Sequence, residues 1–179
     1  SNILRETSFE ELYNQSSKRI EEVIKLGTGA IEIKSGYGLE IEAEIKMLEV
    51  IKQLNENYDI SIKSTFLAAH AVPKEYQNNK DEYIKKIIDE WIPRVAKEKL
   101  ASYIDVFCEK EYFSVQQTRR ILECGIRHGL IPKIHVNQFN HLGGVSLGVE
   151  LGALSVDHLE VMEKEDYSAL KGSKTIAVA

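Results

Sequence analysis

Short apolar runs and segments of helical periodicity alternate along the whole chain, and this alternation constrains its fold more than any other feature. Predicted strands cover 30–34, 60–69, 103–109, 132–138, 154–160 and 175–179. Predicted helices run from the capping-box pattern at Ser8 to Gly27, then over 40–56, 80–98, 145–151 and 164–171, with one more from Ser114 to Gly125 or Gly129. We expect a bend near Pro93, because proline lacks the N–H of an intrahelical hydrogen bond. Regular alternation of this kind predicts a parallel α/β sheet with right-handed crossovers.

Polar residues inside the predicted strands distinguish between an open doubly wound sheet and a (β/α)8 barrel of the TIM type. Strands of an open parallel sheet are buried on both faces and should be almost wholly apolar. Side chains of one parity point into a barrel, where polar groups near the carboxyl ends line the active-site mouth. The polar residues within these strands are Glu32, Lys34, Lys63, Asp105, Lys133 and His135. The pattern therefore favours the TIM-type barrel.

A complete barrel of this type needs more chain than the sequence provides. It has eight strands and typically about 250 residues, whereas this sequence offers six predicted strands in 179 residues. No linker, low-complexity tract or repeat divides the chain, so we expect a single domain over 1–179. We expect that domain to be an incomplete barrel of about six βα units, whose open edges pair with further chain or with another copy.

The composition excludes several classes of partner. Hydrophobic residues make up 43% of the chain, and 23 basic against 28 acidic residues give a net charge of -5. A chain without a positive excess is poorly suited to phosphates or anionic lipid, so we expect no nucleic-acid or membrane partner. Cys108 and Cys124 lack the spacing of a metal site. We expect them to be buried thiols in a cytoplasmic protein.

Three histidines recur at the carboxyl ends of predicted strands: His70, His135 and His158. In a parallel barrel these ends share one face. Three imidazoles on that face could hold a metal ion, move protons, or do both, because imidazole is a common metal ligand and titrates near neutral pH. Each histidine alone could equally be a hydrogen-bonded core residue, but their equivalent positions favour the functional interpretation.

Tyr37 and Lys34 each have two possible interpretations. Tyr37 lies between Gly36 and Gly38, so that its hydroxyl either contacts a substrate from a loop above the barrel or its ring covers the margin of the core. Lys34 would be an amine nucleophile if burial lowered its pKa. Glu32 in the same strand offers an ion pair as the simpler explanation, which we favour.

Five segments follow one another in the order Ile31–Leu39, Thr65–Pro73, Asp105–Glu109, Lys133–His135 and Ser155–Glu160. Together they resemble the imidazolonepropionase family over nearly the whole chain, which is far more specific than a single motif. The resemblance implies a place in the metal-dependent amidohydrolase superfamily. It also implies an enzyme that opens the ring of 4-imidazolone-5-propanoate to give N-formimino-L-glutamate in histidine breakdown, with one Zn or Fe ion in each complete active site.

The resemblance further implies a role for five residues. His135 corresponds to a ligand of the metal ion, and His158 to the residue that transfers a proton beside it. Tyr37 and His70 correspond to substrate contacts. Gln138 stands where relatives carry Gln or Glu beside the substrate, and a neutral amide can orient a substrate but cannot take a proton.

The chain also departs from the family pattern. The family's H-x-H pair on the first strand and its aspartate on the eighth both provide metal ligands, and neither has a counterpart here, since the six strands match the second through seventh. One histidine cannot hold a catalytic metal alone, because such sites use about three protein ligands. We therefore expect the segment alone to be inactive. We also expect the complete enzyme to be a homo-oligomer, namely a dimer. Two alternatives stay open: another cyclic-amide hydrolase or heterocycle deaminase of this superfamily, and a non-catalytic fragment that pairs with further chain.

Overall fold

A computed structural model describes residues 2–179 as a succession of parallel strands and helices. The strands are β1 (Ala30–Lys34), β2 (Ser61–Ala69), β3 (Tyr103–Cys108), β4 (Ile131–Pro132), β5 (Ile134–Val136), β6 (Ser155–His158) and β7 (Ile176–Val178). The helices are α1 (Asn2–Glu6), α2 (Phe9–Lys25), α3 (Ile41–Asn57), α4 (Lys80–Lys86), α5 (Ile92–Lys97), α6 (Val115–Arg127), α7 (Gly144–Glu150) and α8 (Lys164–Leu170).

The strands form one parallel sheet in the order β1-β2-β3-β5-β6-β7. Both β4 and β5 pair with β3, on either side of Lys133, so they share one position and the sheet has six positions. The sheet is strongly curled. The evidence is that Lys34 on β1 reaches Asp157 on β6, with an Nζ to Oδ2 distance of 3.3 Å. This half-barrel confirms the predicted incomplete TIM-type barrel.

The main core lies between the sheet and the helices on its outer side. Large side chains from both layers are completely buried there, among them Leu48, Ile84, Leu122 and Ile134. Helix α6 approaches β3 so closely that a Cβ on Gly125 would lie 2.7 Å from the Ile104 side chain. The inner, concave side of the sheet carries charged side chains instead, as the barrel interpretation predicts.

The helix predicted over 80–98 is not continuous in the structure. It is divided into α4, a π-helical turn over Ile87–Trp91, and α5, which contains Pro93 at its start. Within the π turn, the N–H of Ile92 bonds to the carbonyl of Ile87, five residues back. Proline cannot donate to the carbonyl four residues before it, and a widened turn directly before proline accommodates that missing bond.

The sequence offers Gly125 and Gly129 as possible ends of α6. Gly129, at φ +85°, follows the last turn of α6, whereas Gly125 lies inside the helix. The short helix α1 has no clear signal in the sequence.

Both cysteines are free and buried, as expected. In residues 2–179, no helix combines the length and the apolar character needed to cross a membrane.

Candidate active site

The carboxyl ends of the strands bring four of the five predicted site residues to one edge of the half-barrel. Tyr37 follows β1 and His70 follows β2, and their rings meet edge to face with centroids 5.3 Å apart. His135 on β5 and His158 at the end of β6 have ring centroids 5.1 Å apart. Phe107 on β3 joins the two pairs, at 6.0 Å from His70 and 6.3 Å from His135.

Gln138 lies two residues beyond β5 and is half-buried. Its side chain makes no hydrogen bond to another residue in the part of the chain that the structure describes. The loop around it is nevertheless well fixed. Asn137 has a positive φ of +55°, and its carbonyl accepts a hydrogen bond from Val161.

The backbone at His158 adopts an unusual conformation. His158 has φ +91° and Leu159 has φ +66°, and consecutive non-glycine residues in this region are strained. The His158 Nδ1 atom lies 3.3 Å from an oxygen of Glu160, and the N–H of Leu159 bonds to the carbonyl of Val136. These contacts hold the imidazole beside His135.

A network of charged side chains lies on the concave face below the imidazoles. The Lys34 ammonium lies 2.8 Å from Asp105 Oδ2, 3.3 Å from Asp157 Oδ2 and 3.2 Å from Glu32 Oε1. Lys133 pairs with the other oxygen of Glu32. The network therefore connects strands across the interior of the arc.

Electrostatics decide what Lys34 can do. Burial alone would lower the pKa of its amine, but the carboxylates of Asp105, Glu32 and Asp157 outweigh burial and raise that pKa far above its ordinary value. An amine that stays protonated is not a nucleophile. The ion-pair interpretation of Lys34 is therefore correct, and the amine-nucleophile hypothesis is wrong.

Asp105 is the most buried member of this network. Burial alone would raise its pKa, but the His135 ring and the Lys34 ammonium outweigh burial and lower the pKa to about 2. Asp105 thus stays ionised beside the His135 ring, and His135 Nδ1 lies 2.8 Å from Asp105 Oδ2. A carboxylate behind a histidine ring is a common way to orient a metal ligand.

The donor set fits a metal ion only in part. Donor atoms of Asp105, His135 and Asp157 lie within 4.8 Å of one another. Asp105 Oδ1 and His135 Nδ1 are buried and form no hydrogen bond of good geometry, so the cluster contains polar atoms without a partner. The Lys34 ammonium, however, already donates hydrogen bonds to one oxygen of each aspartate. His135 is therefore the one side chain of this cluster that suits a metal, with Asp105 supporting its ring.

Sequence reasoning missed the buried carboxylates that hold the loops of this edge. Glu44, Glu109 and Asp166 each accept hydrogen bonds from a loop that follows a strand. Glu109 ends a predicted strand, and that position is a usable signal. Glu44 and Asp166 lie in helices near other acidic residues, so that nothing in the sequence marks them.

A parallel half-barrel whose polar side chains gather at the carboxyl ends of its strands has the arrangement of a (β/α)-barrel enzyme. No family model matches the chain. Among curated proteins it is 64% identical over 176 residues to the imidazolonepropionase of Christiangramia forsetii, which covers 98% of this chain and 43% of that protein. The corresponding protein of Flavobacterium johnsoniae is 61% identical with the same coverage, and that of Brevibacillus brevis is 50% identical over 97% of this chain and 41% of that protein.

The chain is thus similar to imidazolonepropionases over almost its whole length, which confirms the resemblance seen in the sequence. It spans 43% of the length of the relatives from C. forsetii and F. johnsoniae. Among solved structures, a dipeptide epimerase from Methylococcus capsulatus has a TM-score of 0.27 and 10% identity, covering 82% of this chain and 50% of that chain. That TM-score is too low to compare the two folds.

Proposed function

We propose that this protein is a metal-dependent hydrolase that opens the ring of 4-imidazolone-5-propanoate to N-formimino-L-glutamate in the cytoplasm. The observation that carries the proposal is the 64% identity to an imidazolonepropionase over 98% of this chain. The convergence of Tyr37, His70, His135 and His158 at one edge supports it. Residues 1–179 would then be the central part of the catalytic barrel, with the six strand positions equivalent to the second through seventh.

The proposal includes one Zn or Fe ion with His135 among its ligands and the other ligands outside this segment. When bound, such an ion acts as a Lewis acid that activates water for hydrolysis. In this chain, Asp105 would fix the ring orientation of His135 from behind, since the two side chains are already 2.8 Å apart.

The remaining residues act on the substrate. Hydrolysis adds water to the ring carbonyl and breaks one ring C–N bond, so that the departing nitrogen must receive a proton. His158 would transfer that proton, with its ring held by Glu160. Tyr37 and His70 would bind the substrate, and Gln138 would orient it through its neutral amide.

The test is the loss of imidazolone absorbance when substrate is added to the metal-loaded, full-length protein. We expect His158→Ala to lower kcat by about 100-fold or more, because positioned proton transfer contributes that much to catalysis. His128→Ala is the matched control, since His128 caps α6 through its own helix. An unchanged rate in the His158 variant would exclude its role, and turnover only of a different cyclic amide or heterocycle would favour the related hydrolase or deaminase.

A further inference from the structure

Glu44 is a fully buried carboxylate that holds the loop carrying Tyr37. It lies in the first turn of α3 and is 0% exposed. Its Oε2 accepts the N–H of Gly36 at 2.7 Å, and its Oε1 accepts the N–H groups of Gly38 and Leu39, both at 2.9 Å. One side chain therefore binds the backbone on both sides of Tyr37.

The carbonyl groups of the same loop are also occupied. The Gly36 carbonyl lies 3.2 Å from His70 Nδ1, and the Gly38 carbonyl accepts a hydrogen bond from Arg5 Nε at 2.8 Å. The Tyr37 side chain projects from this loop, is 57% exposed, and meets the His70 ring. The loop thus fixes both members of the Tyr37–His70 pair.

Close packing leaves this loop little freedom to move. A Cβ on Gly36, which has φ +99°, would lie 2.5 Å from the Leu67 carbonyl oxygen. A Cβ on Gly38 would lie 2.5 Å from the Ala43 side chain and 3.2 Å from Glu44 Oε1. The two glycines therefore let the loop pack closely against β2 and α3.

Stabilising the helix does not by itself explain a buried carboxylate. Glu42 in the same turn also complements the helix dipole, and it does so from the surface, paired with Arg94. Burying a carboxylate carries a desolvation penalty that a surface position avoids. What distinguishes Glu44 from Glu42 is its set of three hydrogen bonds to the loop.

We propose that Glu44 is a positioning residue that aims Tyr37 at the substrate, an inference that rests on the proposed function. A glutamine at this position has one acceptor oxygen, and its NH2 group would face a backbone N–H. At least one loop N–H then loses its partner. The loop and Tyr37 shift, although the fold around α3 is retained.

The experiment compares Glu44→Gln with Glu42→Gln in the full-length, metal-loaded protein. We expect Glu44→Gln to raise KM for the imidazolone at least about tenfold while kcat changes less than about threefold, because displaced binding groups affect binding more than proton transfer. Amide hydrogen exchange at Gly36, Gly38 and Leu39 should be faster in Glu44→Gln. Glu42→Gln should change neither measurement.

A double mutant separates positioning from a purely structural role. In a Tyr37→Ala background, Glu44→Gln should raise KM by no more than about threefold, since its effect acts through a side chain already removed. A folded Glu44→Gln variant with normal KM, or with only a lower melting temperature, would overturn the proposal. So would a tenfold KM effect that persists without the Tyr37 side chain.

Arg5→Gln supplies the answer if Glu44→Gln does not fold. It removes the Arg5 hydrogen bonds to the carbonyls of Gly38 and Leu39 and leaves Glu44 in place. A rise in KM of about threefold or more supports loop positioning, and an unchanged KM contradicts it. Wild-type protein that does not hydrolyse the imidazolone would refute the proposed function instead, and the two failures are therefore distinguishable.

Discussion

Buried carboxylates fix the loops at the active edge by accepting several N–H groups each. Glu109, at the end of β3, accepts the backbone N–H groups of Lys110 at 2.8 Å, Phe139 at 2.9 Å and Asn140 at 3.3 Å, and the side-chain amide of Asn140 at 2.9 Å. It thereby joins the loop after β3 to the loop that contains Gln138. A single residue of this kind couples local stability to pH.

The charge state of Glu109 should therefore appear in the acid stability of the protein. Burial alone would raise its pKa, but the N–H groups of Phe139, Lys110 and Asn140 outweigh burial and hold the pKa below its ordinary value. A carboxyl group with a lowered folded-state pKa stabilises the fold above its unfolded pKa of about 4.3, and that stability is lost as the pH falls through the folded value.

We expect Glu109→Gln to lower the free energy of unfolding by about 1–3 kcal/mol at pH 7, with the difference from wild type shrinking below about pH 4. Urea denaturation at pH 7, 5 and 3.5 measures this. Exposed Glu111 serves as the control, and Glu111→Gln should show no such pH dependence. A Glu109→Gln difference that stays constant down to pH 3.5 would contradict the linkage.

At the scale of elements, Gly125 sets the distance between α6 and β3. Alanine normally stabilises the interior of a helix by about 0.5–1 kcal/mol relative to glycine. Here a Cβ on Gly125 would lie 2.7 Å from both Cδ1 and Cγ2 of Ile104. We expect overpacking to prevail, so that Gly125→Ala destabilises the protein by about 1–3 kcal/mol.

The double mutant Gly125→Ala, Ile104→Ala tests that cause. It removes the side-chain atoms that the new methyl group would meet, and should be more stable than the sum of the two single changes predicts. Equilibrium denaturation of the four proteins gives the coupling energy. Additive effects would show that the cost of the alanine lies elsewhere than in contact with Ile104.

The element order was accessible from the sequence because apolar periodicity and turn residues report directly on local structure. The strand at 30–34 and the helix that begins after Ser114 match these signals within a residue or two. The π turn before Pro93 was not accessible, because it depends on how the whole helix packs. The division of the predicted strand 132–138 at Lys133 was likewise not accessible, and the Lys133 N–H still bonds to the Ile104 carbonyl on β3.

The site was predictable only in outline. Histidines at strand ends share an edge once the sheet is parallel, so that grouping His70, His135 and His158 needed topology alone. The ion pairs of Lys34 with Asp105 and Asp157 join residues 71 and 123 positions apart in the sequence. Neither these pairs nor the hydrogen bonds of Glu44 follow a sequence period. The roles of Tyr37, His70, Gln138, His135 and His158 stay predictions that kinetics must test.

At the scale of the whole molecule, the concave charge network holds the curl of the sheet. Lys34 on β1 contacts Asp105 on β3 and Asp157 on β6, so its side chain spans the arc. Removing one partner from a largely buried ion-pair network leaves the others uncompensated. The stability of the arc should therefore depend on this lysine far more than on a surface lysine.

We expect Lys34→Met to lower the free energy of unfolding by about 2–4 kcal/mol, somewhat less than for a fully buried pair because the side chain is partly exposed. The Lys34 side chain is 23% exposed, whereas that of Lys85, which pairs with Asp89, is 72% exposed. Lys85→Met is the control and should change stability by less than about 0.5 kcal/mol. Equal effects of the two changes would show that the interior network does not hold the arc.

The open edges of the half-barrel give the last prediction. Within residues 2–179, β7 pairs only with β6, and its Ile176 and Val178 are 55% and 45% exposed. An exposed apolar edge strand is a template for pairing with another chain.

We expect the 179-residue segment alone to self-associate at micromolar concentration. Ile176→Lys should reduce that association, because a charge on an edge strand opposes pairing. Leu26→Lys, at an 84% exposed position after α2, should leave the association unchanged. Sedimentation velocity measures the particle mass in each case. A segment that stays monomeric at this concentration would contradict the prediction that the exposed edge of β7 pairs with another chain.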